Sequence, residues 1–206
     1  MANIRFHKGD LPDLDHYQGD AVAIDTETLG LNPHRDRLCV VQLSPGDGSA
    51  DVVQIAKGQK RAPNLTALLR DRRKTKLFHF GRFDLAVLYH SFGAMPEPVF
   101  CTKIASRLAR TYTDRHGLKD ICSELLGVSL SKVQQSSDWA AETLSPEQLD
   151  YAASDVLYLH RLRDALKRRL ERDGRMKEAE ACFRFLPTRA KLDLMGWDEQ
   201  DIFAHS

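Results

Sequence analysis

The feature that most constrains this chain is an apolar, β-branched run, Ala21-Val-Ala-Ile24, that ends in two carboxylates, Asp25 and Glu27. Such a run predicts a strand, and residues two apart on a strand project from one face, so Asp25 and Glu27 share a side and can enter one cluster. A second strong signal lies far downstream. Ser145 is a good N-cap, Pro146 suits the first helical position and Gln148 completes a Ser-x-x-Gln capping box, which fixes a helix onset within about two residues. Tyr151 and Asp155 then fall four apart on that helix, one turn from each other on one face. Between the two signals, Phe78-His-Phe-Gly-Arg-Phe-Asp84 brings a further carboxylate, Asp84.

Around these motifs the chain alternates. β-rich runs at 21–26, 38–43 and 52–55 are separated by turn-rich stretches and read as a three-strand meander, followed by strands at 76–80 and 98–101. Helical patterns occupy 64–70, 83–92 and 102–109. Leu118, Ile121, Cys122, Leu125 and Leu126 form an apolar stripe closed by Gly127. The order predicts an α/β fold with a mixed five-stranded sheet flanked by helices. Beyond the capped helix, Leu162, Leu166 and Leu170 keep an apolar stripe among charges of both signs, so the arginine-rich stretch 161–172 reads as a solvated helix face. The remainder, about 174–206, predicts a helical extension interrupted at Pro187 and an apolar tail, Trp197 to Phe203.

Bulk properties narrow the field. A length of 206 residues suits one domain. The net charge of +1 gives no global polycation of the kind that grips many phosphates of a long duplex, which favours a short substrate. The N-terminus lacks an apolar signal region and no run reaches membrane length, so a cytoplasmic protein is expected. Cys39, Cys101, Cys122 and Cys182 show no metal-ligand spacing and read as reduced packing residues.

The carboxylates set the chemistry. Phosphodiester hydrolysis develops charge on the attacking and the leaving oxygen, and two divalent ions about 3.5–4 Å apart stabilise both. Mg²⁺ and Mn²⁺ are hard ions that take oxygen ligands. Asp25 is expected between two ions, Glu27 and Asp155 on the first, and Asp84 on the second, directly or through water. Tyr151 is expected to orient or deprotonate the attacking water. Each motif alone is weak, because a chain with 29 acidic residues contains such pairs by chance. Their ordered combination is specific.

Asp25-Thr-Glu27, Phe83-Asp84 and Tyr151-x-x-x-Asp155 resemble the DEDDy branch of the DnaQ-like, or RNase D-like, exonucleases. The similarity extends nearly end to end with the nano-RNase C group, through Asp25-Thr-Glu-Thr-Leu-Gly-Leu31, Phe100-Cys-Thr-Lys-Ile104, Thr111-Tyr-Thr-Asp-Arg-His-Gly117, Ser137-Asp-Trp-Ala-Ala-Glu142 and Asp201-Ile-Phe-Ala-His-Ser206. The resemblance implies a ribonuclease H-like fold, Mg²⁺ or Mn²⁺, and 3′-to-5′ hydrolysis of very short RNA, dinucleotides included. It also implies a homo-octamer, in which the apolar tail crosses subunit boundaries.

Substrate contacts are expected from Leu29, as a wedge beside the first motif. His79, Phe80 and Arg82 flank Asp84 with phosphate donors and stacking faces. Lys103, Arg110, Arg115 and His116 are candidates for holding a 5′ phosphate. Trp139 is either a stacking residue or a buried one. Two enzymatic alternatives share the same carboxylates: a trimming enzyme on longer RNA, and a DNA exonuclease. A nucleic-acid-binding scaffold would show a broken carboxylate set, and this set is intact.

Overall fold

A computed structural model describes residues 3–130 and 137–205; Ser206, at the end of the last similar segment, lies outside the described residues. Strand β2 (Ala21–Thr28) sits inside a six-stranded sheet, between β3 (Leu38–Ser44) and β5 (Thr75–Phe78). It pairs antiparallel with β3 and parallel with β5, so the sheet is mixed. On the β3 side follow β4 (Ser49–Gln54) and β1 (Asn3–Lys8); on the β5 side lies β6 (Val99–Cys101). Ala21 to Ile24 are buried, as their apolar character demands, and the strand becomes more open as it reaches its carboxylates.

The sixth strand corrects the expected count of five. Residues Asn3–Lys8 pair parallel with β4 along their whole length. Charged residues alternate through this segment and mask its strand character. Arg5 and His7 project together onto Asp51, which accepts both Arg5 donors at 2.8 Å, the His7 ring at 2.7 Å and the Tyr17 hydroxyl at 2.6 Å. The side that reads as solvent-facing is an edge knot around one buried carboxylate.

Helices cover both faces. α1 (Pro63–Arg70), α2 (Arg82–Phe92), α3 (Thr102–Ala109) and α4 (Leu118–Leu126) follow the predicted stretches to within a residue. Gly127 ends α4 in the left-handed region, with φ 66°, a conformation glycine adopts without steric cost. α5 (Pro146–Leu157) begins at Ser145 with both reciprocal bonds of the capping box formed, an arrangement worth about 1 kcal/mol. It lies across β3 and β4 over a small core that includes Cys39, Val52, Trp139 and Ala152. α6 (Leu159–Arg172) buries Leu162, Leu166 and Leu170 completely, and its arginines face outward.

α7 (Met176–Leu192) runs through Pro187, where an interruption is expected from sequence. Proline in a helix interior costs about 3 kcal/mol in lost hydrogen bonding and steric strain. Burial of Phe183, Leu186 and Ala190 on either side holds the helix together. Cys39, Cys101 and Cys122 are buried, whereas Cys182 is exposed and does not pack. No helix among the described residues is long and apolar enough to cross a membrane.

Candidate active site

Three carboxylates converge where β2 meets α5. Oxygens of Asp25, Glu27 and Asp155 lie within 4.8 Å of one another, the two strand residues on one face and Asp155 facing them from the helix. Asp84, 4 % exposed, enters from the first turn of α2 and is fixed by the Thr26 hydroxyl, which donates to it at 2.6 Å. Gln42 on β3, opposite Asp25 in register, donates to Asp25 at 3.2 Å.

Packing so many acids together in a shielded place disfavours their charged forms. Burial first, and then the charges of Asp84, Asp155 and Glu27, raise Asp25 well above the usual carboxylate range. Glu27 is raised by burial and by Asp155 and Asp84. Asp84 and Asp155 are raised mainly by burial, opposed by hydrogen bonds from Thr26 and Tyr151 respectively. Burial and the neighbouring carboxylates also raise Tyr151, so its phenol stays protonated and donates to Asp155. A donor set made only of oxygen, held so close and so unfavourable without a compensating positive charge, fits hard divalent cations.

These groups open on one cavity of about 1020 Å³, lined by all four carboxylates and Tyr151. Ligand pockets typically span about 300–1,000 Å³, so this one suits a small molecule or a short oligomer. Its wall includes His79, Phe80, Arg82 and Lys103. β5 stops at Phe78, two residues short of the predicted strand 76–80, so His79 and Phe80 lie beyond the sheet. A Cβ at Gly81 would sit 2.6 Å from that of Phe78, which leaves only glycine in this tight turn. Phe80 takes a left-handed backbone, φ 70°, rare and strained for a bulky residue; the residue is 47 % exposed, with Lys103 Nζ 4.2 Å from the ring centroid. His79 is half-buried and hydrogen-bonded to the Thr102 hydroxyl at 2.9 Å; desolvation first, and then Lys103, lowers its pKa to about 3 and keeps it neutral.

Other expected contacts are placed elsewhere or already engaged. Leu31, 85 % exposed, lines the cavity and Leu29 does not. Arg110 is 1 % exposed; its guanidinium pairs with Glu124 and donates to the Ser106 hydroxyl and the Arg115 carbonyl, a structural role in place of the expected phosphate contact. Arg115 pairs with Asp120 and His116 hydrogen-bonds Ser106, both outside the cavity lining. Arg82 lines the cavity with its guanidinium bound to Asp193. Trp139 is buried, 6.0 Å from the Tyr151 ring, and supports that ring from behind instead of meeting a base. Sequence reasoning missed Asn32, Pro33 and His34, and the segment around Asp193 to Asp198, all of which line the cavity. No local motif marks them, because loop and chain terminus meet only through the fold.

Comparison with known proteins agrees with this geometry. The 3′-5′ exonuclease family matches residues 13–171. Ribonuclease D of Acidiphilium cryptum is 37% identical over 155 residues, 75% of this chain and 39% of that protein. The chain therefore spans about two-fifths of the length of the curated relatives it matches. Among solved structures, Brucella melitensis NrnC is 78% identical with a TM-score of 0.98, covering 99% of both chains, and related structures hold pGG or Mg²⁺. Escherichia coli RNase D, an exoribonuclease involved in structured RNA processing, aligns over 85% of this chain and 46% of its own, at 30% identity and a TM-score of 0.76. By sequence and by fold, the chain belongs to the 3′-5′ exonuclease family, in its RNase D-like branch.

Proposed function

We propose that this protein is a two-metal 3′-5′ exoribonuclease specialised for very short RNA, dinucleotides included, which it converts to 5′-mononucleotides. The observation that carries the reading is the joining of four carboxylates and Tyr151 in one bounded cavity. When bound, two Mg²⁺ or Mn²⁺ ions would stabilise charge on the attacking and leaving oxygens and acidify the attacking water. Asp25 would serve both, Glu27 and Asp155 would hold the first, and Asp84 would serve the second, directly or through water. Tyr151, beside Asp155 on the same helix face, orients or deprotonates the attacking water.

Around this centre, Phe80 offers a stacking face, with Lys103 behind it for phosphate. Leu31 takes the wedge role expected of Leu29. The NrnC structure with pGG supports a short RNA as substrate. The whole chain acts as one exonuclease domain with a C-terminal extension from about residue 174, working in the cytoplasm. Exposed Met195, Trp197, Ile202 and Phe203 favour assembly into a homo-octamer, for which light scattering at micromolar concentration is the check.

Timed digestion of 5′-labelled RNAs, from a dinucleotide to about ten nucleotides, with DNA controls, tests the substrate assignment. The dinucleotide should be hydrolysed at least as efficiently as a heptamer. A kcat/KM that climbs with length, with dinucleotides left as end products, would make the enzyme a general trimming nuclease. Preferential cleavage of the DNA controls would reassign it to deoxyribonucleotides.

A further inference from the structure

The chain beyond α7 turns along the cavity, not away from it. Its turn, Asp193–Trp197, contains Gly196 in the left-handed region, φ 98°, and none of its residues is buried. Yet Asp193, Leu194, Met195, Gly196 and Asp198 line the same cavity as the acidic cluster. Polar bonds hold the segment there. Arg82, two residues before Asp84, donates to both Asp193 oxygens at 2.5 and 2.8 Å, and to the Asp198 carbonyl at 2.6 Å. Arg189, one helical turn before Asp193, donates to it at 2.9 and 2.6 Å and also reaches the Trp197 and Gln200 carbonyls. From the loop after β2, the His34 ring meets the Leu194 carbonyl at 3.0 Å.

One carboxylate thus joins two arginines from different helices, and each arginine also grips the backbone of the same segment. Fork-shaped, charge-assisted contacts of this kind fix orientation as well as proximity. We propose that Arg82, Asp193 and Arg189 determine substrate length: their ion-paired knot holds residues 193–198 as a wall of the active-site cavity, and that wall restricts the strand beyond the first nucleotides. The three are positioning residues, acting through the wall. This inference rests on the reading of the site as a 3′-5′ exoribonuclease for short RNA. A long strand must continue out of the cavity past its wall, whereas a dinucleotide ends inside it. Displacing the wall therefore favours long RNA selectively, an effect that loss of folding or of metal ligands would not produce.

The test compares kcat/KM for a 5′-phosphorylated RNA heptamer and dinucleotide, using the full chain with Mg²⁺, in wild type, Asp193→Ala, Arg82→Ala and the double variant. The heptamer-to-dinucleotide ratio should rise roughly tenfold in each single variant and no further in the double, because both changes break one knot. Asp193→Glu should restore a ratio close to wild type. Should the alanine variants fail to fold by circular dichroism, Asp193→Asn, which keeps shape and loses charge, carries the same expectation. A folded Asp193→Ala or Asp193→Asn protein whose ratio stays within about twofold of wild type overturns the wall. So does an Arg82→Ala variant that loses activity on both RNAs equally while Asp193→Ala does not, since Arg82 would then grip phosphate directly. A wild type that prefers the dinucleotide, with variants unmoved, removes only this inference; a wild type that favours the heptamer, or hydrolyses neither, removes the proposed function as well.

Discussion

The acidic cluster and the C-terminal segment face each other across one cavity, and they are built in opposite ways. Asp25 and Glu27 are set by the pleat of a strand inside the sheet, and Asp155 by a helix whose first turn is locked by a capping box. The backbone beneath them is buried and hydrogen-bonded. The segment 193–198 has no strand, no cap and no buried residue in its turn, and depends on two arginines and one aspartate. Groups that must hold metal ions to within fractions of an ångström sit on the rigid frame, as preorganised chemistry requires. A boundary that only admits or excludes substrate can be held by side chains.

That contrast predicts a graded series of effects. The largest belongs to the frame. Asp25→Asn keeps shape and removes one charge from the centre of the cluster, so kcat should fall by roughly a thousandfold or more, with the fold retained by circular dichroism. Wild-type turnover in this variant would mean that the cluster is not the reactive centre. Tyr151→Phe removes the phenol assigned to the attacking water and should lower kcat about a hundredfold, while Mg²⁺ binding persists by calorimetry. An unchanged rate would take Tyr151 out of the reaction.

Next comes metal linkage, read as thermal stability. The carboxylates have folded pKa values raised above their ordinary ones. In metal-free protein they favour folding fully only below the ordinary carboxylate range, near pH 4, and that contribution is lost as pH rises through the raised folded values. Metal binding replaces the protons, so the gain in Tm on adding Mg²⁺ should be greater at about pH 8 than at about pH 6. An equal gain at both pH values would mean that the cluster is already ionised without metal. The smallest effect belongs to the other side of the cavity. Arg189→Ala should change global stability by less than about 1 kcal/mol in urea unfolding, because it loosens only a peripheral segment. A loss of several kcal/mol would place that segment in the cooperative core and erase the contrast.

The same division separates what could be read from the sequence and what could not. Asp25, Glu27, Tyr151 and Asp155 were legible because period-two and period-four spacing translate directly into shared faces, and Ser145, Pro146 and Gln148 fixed the helix register. The order of helices and five of the six strands followed from apolar periodicity. β1 did not, because Arg5 and His7 serve Asp51 and leave the strand looking polar. Arg110 looked like a phosphate ligand, and Arg82 like an unpaired one, because a sequence displays their charge without displaying Glu124 and Asp193. Long-range pairing of this sort, over 111 residues between Arg82 and Asp193, carries no local pattern. Pro187 misled for a related reason, since tertiary packing on both sides outweighs the local cost.

The central claim is that the partly buried oxygen cluster performs metal-dependent hydrolysis of very short RNA. Its most direct test is turnover of a 5′-phosphorylated RNA dinucleotide by protein stripped with EDTA and then supplied with Mg²⁺, in wild type and in Asp155→Asn. The wild type should be inactive when stripped and regain hydrolysis to mononucleotides with Mg²⁺, while Asp155→Asn should stay inactive in both conditions. Hydrolysis in EDTA, or equal Mg²⁺-restored turnover by the two proteins, would contradict it.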